Sequence, residues 1–181
     1  MSDTAVLVID MLNAYDHPDA EKLVPNVEPI VDPLAALIAR TREHEDVELI
    51  YVNDNYGDLT ADHAGLVSAA LDGARPDLVR PIVPGDDCRF LMKVRHSAFY
   101  ATPLGYLLTQ LGVQKVILTG QVTEQCILYS ALDAYVRHFE VVVARDCVAH
   151  IDDELGQAAL KMMEANMRAH VTDSAQRLLS M

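Results

Sequence analysis

One stretch of the chain indicates its fold most clearly: Lys115-Val-Ile-Leu-Thr119-Gly120-Gln-Val-Thr123-Glu-Gln-Cys126-Ile-Leu-Tyr-Ser130-Ala-Leu-Asp133-Ala. Its apolar opening predicts a buried strand, Gly120 predicts a tight turn, and the following residues predict a helix whose first turn carries Cys126. A helix start offers partial positive charge and unpaired N–H groups, which favour a thiolate and can hold an oxyanion. The stretch therefore predicts an α/β protein with a cysteine nucleophile. The alternative interpretation of Cys126 is a small buried hydrophobic residue.

The composition bounds the size and the partners of the protein. A chain of 181 residues, 51% of them hydrophobic, predicts a single domain over residues 1–181. The net charge of −13 disfavours nucleic acid and anionic membranes and leaves a small molecule as the expected partner.

Cysteine usage and hydropathy predict a soluble, cytoplasmic protein. The three cysteines (Cys88, Cys126 and Cys147) form no CxxC pair, which is typical of a reducing compartment. The apolar run Ala5–Ile9 is too short for a signal peptide, and no run approaches the ~18 residues that cross a bilayer.

Continuous apolar runs without alternation predict strands that are covered on both faces. They lie at Ala5–Ile9, Val47–Val52, Phe90–Met92, Lys115–Leu118 and Val141–Ala144. Helical patterns alternate with them, at Val27–Ile38 after Asn26 as N-cap, Tyr106–Leu111 before Gly112, Cys126–His138 and Leu155–Met167. The alternation predicts a doubly wound α/β fold, with a mostly parallel six-stranded sheet and helices on both faces, as in a Rossmann-like three-layer sandwich.

Two regions depart from regular patterns. Pro29 and Pro33 predict that the first helix starts late or is irregular. The segment Tyr56–Gly85 is rich in glycine and proline, and it predicts a long excursion that partly covers the site, with one helix near Gly65–Leu71.

Three ionisable side chains follow predicted strands: Asp10, Lys93 and Cys126. Ligands of parallel open sheets bind beyond the carboxyl ends of the strands, so these three groups are expected to meet. Together they suit acyl transfer, with Cys126 as nucleophile, Asp10 as proton acceptor and donor, and Lys93 as the stabilising cation. Taken singly, Asp10 also suits a turn or cap and Lys93 a solvated position.

These segments resemble the isochorismatase-like cysteine hydrolases, a superfamily of nicotinamidases, N-carbamoylsarcosine amidases, ureidoacrylate amidohydrolases and isochorismatases. The resemblance runs from Val6 to about Val171. It rests on three motifs: Val-Leu-Val-Ile-Asp10-Met-Leu-Asn13-Ala-Tyr15, Lys93-Val-Arg-His-Ser97-Ala-Phe99 and Gly120-Gln-Val-Thr123-Glu-Gln-Cys126.

The resemblance implies a catalytic triad of Asp10, Lys93 and Cys126. It also implies a cis peptide between Val122 and Thr123, with an oxyanion hole formed near Val122, Thr123 and Cys126. A homo-oligomer, dimer or tetramer, is the expected assembly, and no cofactor is expected.

The sequence departs from the superfamily pattern near the mouth of the site. Leu12 and Ala14 stand where a glutamine and an aspartate are usual. The metal-binding Asp-x-His pair of nicotinamidases is incomplete: Asp54 and His63 alone would leave most of a zinc shell empty, so no metal is expected.

Five residues are candidates for contact with the substrate: Asn13, Tyr15, Asn53, Phe99 and Tyr129. The aromatic residues among them also suit core packing, and His96 suits an exposed or supporting position. The predicted function is cleavage of a C–N bond in an amide, carbamoyl or ureido group through a thioester on Cys126. The alternatives are an isochorismatase-type vinyl ether hydrolase and a non-catalytic, redox-responsive member of the superfamily.

Overall fold

In the computed structural model, residues 2–85, 88–175 and 179 are described. They form the strands β1 (Thr4–Ile9), β2 (Val47–Asp54), β3 (Arg89–Lys93), β4 (Lys115–Gln121), β5 (Glu140–Ala149) and β6 (His170–Thr172). The helices are α1 (Ala20–Arg42), α2 (His63–Leu71), α3 (Pro76–Val79), α4 (Leu104–Leu111), α5 (Leu128–Val136) and α6 (Asp153–Met167). None of the helices within these ranges is both long and apolar enough to cross a membrane.

All neighbouring strands pair in parallel, in the order β3-β2-β1-β4-β5-β6. The chain adds β2 and β3 on one side of β1, then crosses back to add β4, β5 and β6 on the other side. The winding direction therefore reverses between β1 and β4. Ligands of open α/β sheets bind in the crevice at such a reversal. The predicted doubly wound sheet is confirmed, and it is parallel throughout.

Both faces of the sheet are covered, which explains the unbroken apolar runs of the strands. In β1, Val6 and Val8 pack in one core layer with α1, α2 and α3. Ala5, Leu7 and Ile9 point the other way and pack in a second layer with α4, α5 and α6. Because the central strands β1 and β4 are buried on both faces, the carboxyl edge of the sheet is left for the site.

Helix α1 begins earlier than the sequence predicts. Asp19, not Asn26, precedes its first residue, and the helix continues through Pro25, Pro29 and Pro33. The three prolines are spaced by four residues and share one face, on which Pro25 and Pro29 are exposed. Carbonyls freed there can bond to water, at a cost of roughly 3 kcal/mol for each interior proline. Burial of seven apolar side chains on the opposite face, at about 1.5–3 kcal/mol each, outweighs that cost.

The glycine- and proline-rich excursion contains more regular structure than predicted. Besides α2, it forms α3 and a short 3₁₀ turn at Arg80–Ile82. Leu66 and Ala70 of α2 turn inward and pack on the α1 layer. The sixth strand, which the sequence did not locate, is the three-residue β6 beside β5.

Candidate active site

Asp10 follows β1 and is fixed on every side. Its N–H donates to Val52 O at 3.0 Å, and its carbonyl oxygen accepts from Gln121 Nε2 at 2.8 Å. Its Oδ1 accepts from the N–H of Asp54 at 2.7 Å, and its Oδ2 lies 2.8 Å from Lys93 Nζ. Strands β1, β2, β3 and β4 thus all contribute to holding one carboxylate.

Lys93, at the end of β3, is fully buried, and its ammonium contacts the other ionisable groups of the site. Its Nζ lies 2.8 Å from Asp10 Oδ2, 3.2 Å from Asp54 Oδ2 and 3.6 Å from Cys126 Sγ. The structure therefore brings together the three side chains that the sequence placed at strand ends.

The strand order explains why this position needs a long cation. β3 and β1 are separated by β2, and neighbouring strands lie about 4.8 Å apart. The ammonium of Lys93 must therefore reach across roughly two strand spacings to meet Asp10, as only a long, flexible side chain does.

Cys126 is held in one turn of π-helix, Thr123–Ile127, between β4 and α5. The N–H groups of Gln125 and Ile127 both donate to Val122 O, at 3.1 and 3.2 Å. Ser130 anchors the turn from α5, because its hydroxyl donates to Cys126 O at 2.5 Å. The thiol thus precedes α5 instead of lying in its first turn, because β4 continues through Gly120 to Gln121.

The cis peptide joins Gln121 to Val122, not Val122 to Thr123, so that prediction was wrong by one residue. The tight turn predicted at Gly120 is displaced as well. Gly120, at φ +106°, still pairs with Ile9 within the sheet, so the chain turns only after the strand has passed it. Val122 and Cys126 line the cavity described below, whereas Thr123 is fully buried and does not. The N–H of Val122 donates no hydrogen bond to another described residue.

Burial and the charges of the neighbouring groups together shift the pKa values of Asp10, Lys93 and Cys126. Burial raises the pKa of Asp10 above its usual value, although the charge of Lys93 opposes the shift. Burial alone would lower the pKa of Lys93, but the charge of Asp10 raises it, so the ammonium stays protonated. Burial and the charge of Asp10 raise the pKa of the Cys126 thiol, although Lys93 opposes this. Burial and the charge of Asp10 therefore favour the thiol form of Cys126, whereas the helix start and Lys93 favour the thiolate.

A cavity of about 610 Å³ opens above Asp10 and Cys126. This volume is typical of sites for small molecules. Its apolar wall comes from Leu12, Ala14, Leu23, Leu66, Ala69, Ala70, Val122 and Ile151. Its polar side chains, apart from Asp10 and Cys126, are those of Asn13, Asp16, His17, Asp54, Tyr56, His96, Gln121 and Gln125.

The sequence matches a family model described as the isochorismatase domain over residues 4–176. The chain belongs to the isochorismatase family. It is accordingly a hydrolase, and the resemblance seen in the three motifs is confirmed.

Relatives match along nearly the full length of this family member. It is 37% identical over 175 residues to an uncharacterized isochorismatase family protein, YaaI, of Bacillus subtilis, across 97% of this chain and 96% of that one. It is 29% identical over 184 residues to maleamate amidohydrolase of Pseudomonas putida, across 96% and 86% of the two chains. The crystal structure of an isochorismatase-like hydrolase from Alkaliphilus metalliredigens matches with a TM-score of 0.79 and 27% identity, across 97% and 96%.

Of the five candidate substrate contacts, only Asn13 lines the cavity. The side-chain amide of Asn53 is hydrogen-bonded to the backbone of Leu12: Oδ1 accepts from Leu12 N at 2.9 Å, and Nδ2 donates to Leu12 O at 3.2 Å. Tyr15 lies behind the wall and its hydroxyl approaches Gln121 Oε1 at 3.5 Å.

The other two aromatic candidates lie on the α5 side of the sheet. Phe99 packs in the second core layer, with the Arg137 guanidinium 5.1 Å from its ring centre. Tyr129 is exposed on α5 and contacts the ring of His96 edge-on, at 5.5 Å. His96, which the sequence suggested as exposed or supporting, is the member of this pair that lines the cavity.

Two residues of the site have roles that the sequence did not predict. Asp54 was considered as a metal ligand or a loop or substrate contact, but not as a partner of Lys93; it ends β2, next to β1, where the strand-end argument that placed Asp10 applies equally. Gln121 lies one residue past Gly120, and its amide ties Asp10 O to the hydroxyl of Tyr15. Its role could not be seen because β4 was predicted to end at Leu118.

The residues that a nicotinamidase-like zinc site would need do not assemble. Asp54 Oδ2 contacts Lys93, and its Oδ1 accepts from Tyr56 N. The ring of His63 stacks on Phe90 instead, 4.4 Å between centres, and its Nε2 has no partner among the described residues. Within the described part of the chain, no group of three His, Cys, Asp or Glu side chains could hold an ion. These residues do not fit a metal centre.

Proposed function

We propose that this protein is a cysteine hydrolase that cleaves a C–N bond of a small molecule, in an amide, carbamoyl or ureido group. The observation that carries the proposal is the contact of Lys93 Nζ with both Asp10 Oδ2 and Cys126 Sγ at the floor of the cavity. A hydrolase with a nucleophile, a proton carrier and a cation within one hydrogen-bonded group is suited to acyl transfer. The name of the Pseudomonas putida relative, an amidohydrolase, supports the same chemistry.

In the proposed acylation, the Asp10 carboxylate takes the thiol proton as the sulfur of Cys126 attacks the carbonyl carbon. The electron pair of the C=O bond moves to oxygen, which the N–H groups of Val122 and Cys126 stabilise. Asp10 then gives its proton to the departing nitrogen. The C–N bond breaks, ammonia or an amine leaves, and a thioester remains on Cys126.

In the proposed deacylation, Asp10 takes a proton from water and the resulting hydroxide attacks the thioester carbon. The C–S bond then breaks, and the sulfur recovers its proton from Asp10, which frees the acid. A carboxyl group with a raised pKa suits both halves of this cycle, because it holds the proton well enough to return it. Lys93 keeps its charge throughout and stabilises each anion in turn.

The test is a screen of amides, carbamoyl amines and ureido acids for ammonia release, followed by the variant Cys126→Ala. The variant is expected to lose at least about a thousandfold in rate while retaining its circular dichroism spectrum. The matched control is Cys88→Ala, since Cys88 is a half-buried thiol remote from the cavity. Acid quenching during turnover is expected to trap the acyl group as added mass on Cys126. Ammonia release that survives Cys126→Ala would exclude a thioester on Cys126, and turnover of a vinyl ether but of no C–N substrate, unaffected by Cys126→Ala, would favour the vinyl ether reaction.

We also propose that the protein works in the cytoplasm and as a homo-oligomer. All three cysteines are free, as they would be in a reducing compartment. An exposed apolar stripe on α5, formed by Tyr129, Leu132 and Val136, supports self-association because monomers rarely expose such faces.

A further inference from the structure

The charges around the cavity are unevenly distributed. Three carboxylates line it, those of Asp10, Asp54 and Asp16, and no arginine or lysine of the described residues does. Lys93 is fully buried beneath the floor of the cavity, and its ammonium already pairs with both Asp10 and Asp54. Even with Asp10 protonated, the charges of these groups sum to a negative value.

The neutral polar groups of the cavity do not compensate for this. Asn13 Oδ1 accepts from the N–H of Tyr15, which fixes the amide so that Nδ2 faces His17 Nε2 at 3.5 Å. The Nδ2 of Asn13 can donate to this ring nitrogen, but it carries no charge that could pair with a carboxylate. Gln121 is likewise occupied at both ends of its amide.

Asp16 is the charged group best placed to act on the distal end of a substrate. It is exposed, it lines the cavity, and its carboxylate makes no hydrogen bond or ion pair with the described residues. The neighbouring wall is largely apolar and includes Leu12 and Ala14.

We propose that the cavity selects small amides with an apolar body that is uncharged or positively charged, and disfavours amides that carry a carboxylate, with Asp16 setting this preference. The inference rests on the proposed function, since it names the substrate class of the same site. A carboxylate entering the cavity would meet Asp16 and Asp54, with no arginine or lysine among the described lining residues to pair with, in a site that is partly shielded from water.

The test uses two alkylating agents that differ in charge, so that it reads the cavity without requiring turnover. Iodoacetamide is neutral and iodoacetate is its carboxylate counterpart. Their rates at Cys126 are measured at pH 8 by peptide mass spectrometry, and each is divided by its rate with the free thiol N-acetylcysteine amide. The normalised preference for iodoacetamide is expected to be about tenfold or more and to shrink as NaCl is added. A normalised preference for iodoacetate would overturn the proposal.

Two matched variants test the role of Asp16. Asp16→Asn is expected to reduce the preference about threefold or more, because it removes one negative charge from the cavity. Asp19→Asn makes the same change in net charge at an exposed carboxylate outside the cavity, and is expected to leave the preference within about twofold. Equal effects of the two substitutions would refute the assignment to Asp16.

Turnover of maleamate, which bears a carboxylate, and of maleamide, its neutral diamide, separates the two proposals. Faster Cys126-dependent release of ammonia from maleamate would preserve the proposed function and overturn the charge selection. Ammonia release from no amide, together with a strong preference for iodoacetamide, would overturn the proposed function and leave the charge selection of the cavity standing.

Discussion

Replacing Lys93 by methionine removes the cation of the site at nearly constant side-chain length. Lys93 is fully buried, and the Asp10 side chain is only 10% exposed. The variant Lys93→Met therefore leaves the Asp10 carboxylate buried beside that of Asp54 without a balancing charge. We expect a large loss of stability at neutral pH, and a larger loss of activity.

The distances set the size of the effect. At an effective dielectric constant of about 20, a charge pair 2.8 Å apart attracts by roughly 6 kcal/mol, and the contact with Asp54 at 3.2 Å by roughly 5 kcal/mol. Desolvation of the ammonium offsets several kcal/mol of this attraction. Removal of one partner from a buried pair typically costs about 3–5 kcal/mol, and we expect a value in this range for Lys93→Met at pH 8.

The same variant predicts a dependence on pH with a definite sign. Without Lys93, the pKa of Asp10 in the folded protein rises further above its unfolded value, since the opposing charge is gone. The folded state then binds the proton more tightly than the unfolded state, so the variant gains stability as the pH falls toward the unfolded value of about 3.9. The cost of the substitution is therefore expected to be smaller at pH 5 than at pH 8.

Urea unfolding of both proteins at pH 5 and pH 8, followed by circular dichroism, measures these quantities. The control is Lys161→Met, which makes the same change in net charge at an exposed position of α6 and is expected to stay within about 0.5 kcal/mol of the parent protein. A cost below about 1 kcal/mol for Lys93→Met, equal at the two pH values, would refute the charged and buried state of this group.

Two further predictions concern the reaction and the backbone. In a pH–rate profile, kcat/KM should fall on the acid side with a pKa above the ordinary carboxyl value of 3.8, because Asp10 must be ionised to accept the thiol proton. On the alkaline side, kcat/KM should fall only above the ordinary thiol value of 9.0, since the pKa of Cys126 is raised. Gly120→Ala should destabilise the protein by at least about 3 kcal/mol in urea, since its Cβ would lie 2.0 Å from Ile9 O at φ +106°. Gly57→Ala, at φ +85° with nothing within 4 Å, should cost only about 1 kcal/mol; similar losses for the two would contradict the steric argument.

The layers of the fold could be predicted because burial on both faces leaves a strong trace in the sequence. β1 and β4 contain continuous apolar runs, at Ala5–Ile9 and Val116–Leu118, because every residue of these two strands is buried. The start of α1 could not be predicted in the same way. Local proline rules favour a late start, and only the docking of the helix on the sheet shows that Pro25 and Pro29 face water.

The charged centre could be predicted from topology, whereas the wall of the cavity could not. Asp10, Lys93 and Cys126 follow strands, and parallel strands end at one edge of a sheet. Which aromatic side chains face the cavity depends on rotations that no spacing reveals. Phe99 turns into the core under α4 and α5, and His96 takes the position at the cavity that was expected of Tyr129.

This difference has a chemical consequence for specificity. One aspartate, Asp10, follows β1 and another, Asp54, ends the neighbouring strand β2. The buried ammonium of Lys93 is therefore paired with protein carboxylates before any substrate binds. In the proposed mechanism this ammonium stabilises the reacting sulfur and the oxyanion. Because two protein carboxylates already pair with it, it is not available to pair with a substrate carboxylate. Discrimination by charge must therefore come from the loop after β1, where Asp16 lies, and not from the catalytic group itself. Under this proposal, a change in that loop would alter the charge of the substrate that the cavity accepts without altering Asp10, Lys93 or Cys126.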